Sequence, residues 1–119
     1  MVPRIVFLGI SNVPLKSWAP PNLGSFSAWL RVSVSDRPTG KQSDDFGVRL
    51  ATPAGLNNVA HKSVIIASSP LLIVSKYDAA EVERWVVETV ASCKAVTWSD
   101  CVGELRRHFS WEYDNYRER

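Results

Sequence analysis

Residues 26–35 alternate without a break. Phe26, Ala28, Leu30, Val32 and Val34 fall on one side, and Ser27, Trp29, Arg31, Ser33 and Ser35 on the other. A period of two is the periodicity of an extended strand, whose successive side chains point to opposite faces. A polar segment, Asp36-Arg37-Pro38-Thr39-Gly40-Lys41-Gln42-Ser43-Asp44, follows, and Phe46, Val48 and Leu50 resume the alternation. The pattern predicts a β-hairpin with one apolar face, one wet face and an exposed, charged tip. A sheet of this kind must cover its apolar face with a second layer, so the remaining chain has to supply one.

The flanking segments divide into strands and helices. Residues 4–12 read as a first strand, rich in Ile, Val and Phe and ended by the turn-prone Ser11-Asn12. Residues 13–24 contain Pro14, Pro20 and Pro21 and read as a loop that carries Trp18. Thr52-Pro53 is a capping residue followed by proline at the first helical position, and Leu56, Val59 and Ala60 continue at helical spacing. A helix of about two turns is expected there, weakened by Gly55, Asn57 and Asn58. Residues 64–67 fit helix and strand equally, and Leu71-Leu72-Ile73-Val74 reads as a buried strand.

Two helices complete the chain. Asp78 with Glu81 resembles a capping box, and Val82, Trp85, Val86, Val90 and Cys93 then line one stripe as far as Lys94. Thr97 with Asp100 starts the second helix, whose apolar stripe runs through Trp98, Cys101, Val102, Leu105 and Phe109. Trp111, Glu112 and Tyr113 suit a last strand, and residues 117–119 are expected to fray. Strands first and helices last argue for an α+β fold. The expected form is an antiparallel sheet of four or five strands with two C-terminal helices packed on one face. At 119 residues, one domain spanning residues 1–119 is expected.

Charge and chemistry narrow the function classes. Fourteen Lys and Arg against twelve Asp and Glu leave a net +2, with no run of five like charges. The pI of 8.7 falls below the roughly 9 typical of a nucleic-acid-binding domain. No apolar run approaches the roughly 18 residues of a transmembrane helix, and the N-terminus lacks a signal-peptide pattern. Cys93 and Cys101 lie on apolar helical stripes, as expected for free thiols in a reducing, cytoplasmic interior. Phosphate-binding glycine loops, nucleophile elbows and zinc-ligand spacings are absent from the sequence, and His61 and His108 stand far apart. Asp44-Asp45 could suggest a catalytic carboxylate pair, but adjacent strand residues face opposite ways, so a solvated hairpin end is the better reading. Arg106-Arg107-His108 complement the end of a helix dipole. With Trp111, Tyr113 and Tyr116 following, they also permit a nucleic-acid-binding alternative. Of the five tryptophans, Trp85 and Trp98 fall on apolar stripes, whereas Trp29 shares the polar strand face and Trp18 sits in the loop.

The order of these pieces resembles one family. Phe46-Gly47-Val48-Arg49-Leu50-Ala51-Thr52-Pro53 comes first, then Leu71-Leu72-Ile73-Val74-Ser75-Lys76-Tyr77-Asp78. The helix through Trp85, then Thr97-Trp98 and Trp111-Glu112, complete the series. Together they look like the immunity protein 8 family of bacterial polymorphic toxin systems, over about residues 26–113. The resemblance implies a small non-enzymatic protein without a cofactor that binds a cognate toxin domain and blocks it inside the producing cell. It implies core roles for Trp85 and Trp98 and capping roles for Asp78 and Thr97. If a preformed surface occludes the toxin, the expected contact residues are Trp18, Trp29, Arg37, Lys41, Asp44 and Asp45. No metal or membrane partner is expected, and sheet edges leave a homodimer open. The +2 charge argues against an acidic decoy of a basic nuclease face.

Overall fold

The computed structural model describes residues 1–36, 43–62 and 70–113. Residues 64–67 and 117–119, for which expectations are given above, lie outside the described residues. In chain order the elements are β1 (Arg4–Ile10), β2 (Val13–Pro14), a 3-10 turn (Leu15–Ser17), β3 (Ser27–Ser35) and β4 (Ser43–Ala51). They continue with α1 (Pro53–Lys62), β5 (Leu71–Ile73), α2 (Ala79–Ala91), α3 (Trp98–Leu105) and β6 (Ser110–Trp111).

The alternating segments pair as the hairpin β3–β4, in an unbroken antiparallel register from Ser27 opposite Ala51 to Ser35 opposite Ser43. β1 pairs the other side of β3, with one irregularity between Ile5 and Phe7. The sheet order is β2-β1-β3-β4-β5, with β6 joined to β4. β5 and β6 therefore share the outer edge of β4. β5 lies beside Arg49, Leu50 and Ala51, and β6 beside Phe46 and Gly47.

Four features differ from the sequence expectation, the first being that Leu71 and Ile73 of β5, expected to be buried, are exposed at the sheet edge. Among the described residues the sheet has six strands, because Val13–Pro14 fold back on β1 as a short strand after the turn at Ser11-Asn12, where Ser11 has φ 54°. Pro14 is tolerated because β2 is an edge strand. β5 runs parallel to β4, since the α1 connection returns the chain to the same end of the sheet before it pairs. α2 ends at Ala91 and α3 at Leu105, short of the full apolar stripes. Cys93 and Phe109 are nevertheless buried in the turns that follow.

The two C-terminal helices cover the apolar sheet face. Leu30, Val32 and Val34 of β3 and Phe46, Val48 and Leu50 of β4 form one core with Val82, Val86, Val90, Cys93, Val102, Leu105 and Phe109. Burying a side chain of this size stabilises the fold by roughly 1.5–3 kcal/mol. The Phe109 ring meets Trp85 and Phe46 edge-on, at centroid distances of 5.7 and 6.5 Å. Both expected caps form. Asp78 Oδ1 accepts from the amides of Ala80 and Glu81 at 3.1 and 3.3 Å, and Thr97 Oγ1 accepts from Asp100 N at 3.1 Å.

The turn from β4 into α1 is tied to the strand opposite. Thr52 is fully buried, and its Oγ1 accepts from the amides of Phe26 and Gly55, both at 3.1 Å. Its own amide donates to Phe26 O at 3.1 Å. Gly55 is required by this approach, because a Cβ there would stand 1.9 Å from Phe26 O. The residue that weakens α1 by propensity is thus the one that lets α1 dock. Thr52→Val keeps the shape but strands two buried donors, and should cost about 2–4 kcal/mol in urea unfolding.

Tyr77 ties the loop to the core from the other side. Its hydroxyl donates to Leu15 O at 3.1 Å. Burial, with Asp78 beside it, pushes the phenol pKa up from 10.0. A raised folded pKa means the associated stability is fully present below the unfolded value near 10 and is lost as pH rises through the folded one. Alkaline titration followed at 295 nm should show one tyrosine ionising late and together with loss of tertiary circular dichroism. Tyr77→Phe should remove that late step.

Candidate functional site

The hairpin register sets the candidate residues on two faces. Trp29 and Asp45 lie on the face opposite the core, with Ser27, Arg31 and Ser33 of β3 and Gly47 and Arg49 of β4. Trp29 is 42% exposed. Its ring lies across Gly47, where a Cβ would stand 2.3 Å from the indole. Arg31 stacks over Phe7, with its guanidinium carbon 4.7 Å from the ring centroid, and donates to Asn12 Oδ1 at 3.3 Å. Arg31 Nε is 3.9 Å from Asp45 Oδ1, which also accepts from the Ser33 hydroxyl. Arg49 donates to Ser27 Oγ at 3.0 Å. The half-exposed Arg31–Asp45 ion pair contributes at most about 1 kcal/mol to stability.

Asp44 faces the other way. Its Oδ2 accepts from the Trp98 indole N–H at 2.8 Å and its Oδ1 from the Trp111 indole N–H at 3.3 Å. The two carboxylates do point to opposite faces, but neither is a bare solvated end, since Asp44 and Asp45 are both half-buried and hydrogen-bonded. Asp44, Thr97, Trp98, Ser99, Val102 and Trp111 line an open cleft of about 430 Å³. Trp98 and Trp85 sit half-buried at the margin of the core.

Trp18 lies elsewhere, half-buried against Phe26 and Tyr77 at centroid distances of 6.0 and 5.2 Å. The buried Leu15 turns the proline-rich loop inward and lays the indole on the core. Arg37 and Lys41 lie outside the described residues. The structure therefore groups Trp29 with Asp45 and separates both from Asp44 and Trp18.

Sequence periodicity already placed Ser27, Arg31 and Ser33 beside Trp29. It could not supply Phe7, which arrives from β1 through long-range pairing opposite Ser33. It also could not join Asp44 to Trp98 and Trp111, which are 54 and 67 residues away in the chain.

Other chemistry-bearing groups are structurally occupied. Burial pushes the Cys93 thiol up from its ordinary pKa, and its Sγ donates to Thr89 O at 3.2 Å. This is the opposite of an activated nucleophile. Cys101 is also buried. Arg107 pairs with Glu104 at 3.8 Å, and Arg106 stacks on Trp111 with its guanidinium carbon 5.3 Å from the ring centroid. Among the described residues, no group of three or more His, Cys, Asp and Glu could hold a metal ion. No helix among them is long and apolar enough to cross a membrane.

A family model described as immunity protein 8 matches residues 4–116. No curated protein and no solved structure matches the chain.

The Trp29–Gly47 contact is open to a direct test. Gly47→Ala should force the indole off β4 and destabilise the protein by about 1–3 kcal/mol. Most of that cost should vanish in a Trp29→Ala background, as read by a double-mutant cycle of urea unfolding.

Proposed function

The chain belongs to the immunity protein 8 family, and from that membership we propose that it binds the active domain of a cognate polymorphic toxin and blocks it. The work of the protein is then recognition, with no catalytic step and no cofactor of its own. Its place of action is the cytoplasm of the producing cell, where leaked or incoming toxin would otherwise reach its target. One domain spanning residues 1–119 would do this by covering the toxin's active face.

The observation that carries the surface assignment is Trp29, a large aromatic side chain 42% exposed on a regular strand and held over Gly47. Tryptophan and arginine are the residue types that most often dominate binding energy at protein interfaces. Arg31 and Arg49 flank the indole, and Asp45 adds the opposite charge. A preformed surface of this kind avoids much of the ordering cost that a flexible loop would carry. Occlusion needs roughly 1,600 Å² of total buried area, so Trp29 and Asp45 would form a centre rather than the whole footprint. Arg37 and Lys41, next to the same strands in sequence, would extend it. Asp44 and Trp18 would contact toxin only if the footprint wraps the sheet edge.

The charge supports recognition by shape and mixed polarity. At +2, the chain has no excess of carboxylates with which to imitate a nucleic acid.

Co-expression with the toxin encoded beside it should restore growth, and the two proteins should purify as a complex. Trp29→Ala should weaken that complex by about thirtyfold or more, read by calorimetry, while leaving circular dichroism unchanged. If Trp29→Ala and Arg37→Ala both bind the toxin as well as the wild type, the surface assignment is wrong. If generic RNA or DNA binds instead, with affinity falling steeply as salt rises, the nucleic-acid alternative replaces it.

A further inference from the structure

The cleft around Asp44 is separate from the Trp29 face, and its chemistry is specific. A carboxylate has about four lone-pair sites, two on each oxygen. Here Trp98 occupies one site on Oδ2 and Trp111 one site on Oδ1, so each oxygen retains a second. Both donors are neutral N–H groups. No cation among the described residues lies within ion-pair distance of Asp44. Among the described residues, the negative charge is therefore oriented by hydrogen bonds without a positive counterpart.

The surroundings match one kind of ligand. Two acceptor oxygens side by side suit the parallel N–H fork of a guanidinium. The indole of Trp98 lines the same cleft and offers an aromatic face on which a planar cation stacks. Trp111 is engaged by the Arg106 guanidinium and the Tyr113 ring, so its part in the cleft is the N–H that orients Asp44. At about 430 Å³, the cleft is large enough for a single side chain. Thr97 and Ser99 at the start of α3 provide its remaining polar rim.

We infer that the Asp44–Trp98–Trp111 cleft is a receptor for one arginine side chain of the toxin, which anchors the complex away from the Trp29 face. The identity of the partner rests on the toxin-binding reading above; the cation preference of the cleft does not. Asp44 makes the charge-assisted contact, the two indole N–H groups orient its carboxylate, and Trp98 flanks the guanidinium.

The test uses the full chain and two small probes, N-acetyl-arginine amide and its neutral isostere N-acetyl-citrulline amide. Binding is read from the indole N–H resonances of Trp98 and Trp111. The arginine probe should shift both resonances saturably, and the citrulline probe should not. Asp44→Asn, which keeps an acceptor oxygen and nearly the same shape, should weaken arginine binding about tenfold or more. Ser99→Arg places a competing cation at the rim without touching the carboxylate. It should abolish binding of the probe, which covers the case in which Asp44→Asn perturbs folding. Equal shifts with both probes, no shift at Trp98 and Trp111, or undiminished binding to both variants would overturn the inference. Toxin separates the two readings. If Asp44→Asn loses the arginine probe but binds toxin as well as wild type, the anchor is refuted and the toxin reading stands. If wild-type protein binds the arginine probe but no toxin, the toxin reading and the anchor both fall, and only the cation preference remains.

Discussion

Everything in this fold depends on the register of the β3–β4 hairpin. Side chains alternate along a strand, so pairing Leu30 with Val48 and Val32 with Phe46 commits a whole face to the core. A slip of one residue would turn Trp29 and Arg31 toward the helices if it fell on β3, or Asp45 if it fell on β4, and expose the core residues of that strand. The core residues on these two strands, such as Leu30, Val32, Val48 and Leu50, are essentially inaccessible. That burial stabilises the observed register far more than the weak Arg31–Asp45 pair on the opposite face could. The Trp29 face is thus positioned by hydrophobic packing on the side of the sheet it does not touch.

The ends of the hairpin are closed by polar contacts whose value lies in geometry. At one end, Thr52 satisfies buried amides of both Phe26 and Gly55, joining strand, turn and helix in one residue. At the other, Asp44 holds the indoles of Trp98 and Trp111, linking β4 to the start of α3 and to β6. Each bond contributes only about 1 kcal/mol net, but losing one partner leaves a buried donor without an acceptor. β5 and β6 fit on the same edge of β4 because they are short and occupy different stretches of it. This leaves less open edge for another chain to pair with.

Family membership and surface chemistry answer different questions. The first assigns the chain to immunity proteins of toxin systems. The second concerns what the surface presents: one exposed tryptophan braced by a glycine on the neighbouring strand, and a separate carboxylate oriented by two indoles. The two regions differ in character. The first is broad and mixed in charge, suited to complementarity over an area. The second is narrow and anionic, suited to a single side chain.

Local periodicity and capping chemistry were legible in the chain itself. The alternation of residues 26–35 set both faces of β3, Asp78 and Thr97 marked the helix starts, and the late placement of two amphipathic helices implied a layer over one sheet face. These features depend on residues close in sequence, so local rules suffice. Contacts between distant segments were not legible. Nothing near Trp18 in the chain shows that Leu15 would fold it onto Tyr77, and nothing near Gly55 shows that Phe26 would require a residue without a Cβ. The parallel run of β5 followed from how α1 returns the chain, and the pairing of Asp44 with Trp98 and Trp111 spans more than 50 residues. Sequence alone determined which faces are apolar and where helices begin, because periodicity and caps are local. Tertiary structure decided which polar side chains meet, because that depends on which distant elements the core brings together.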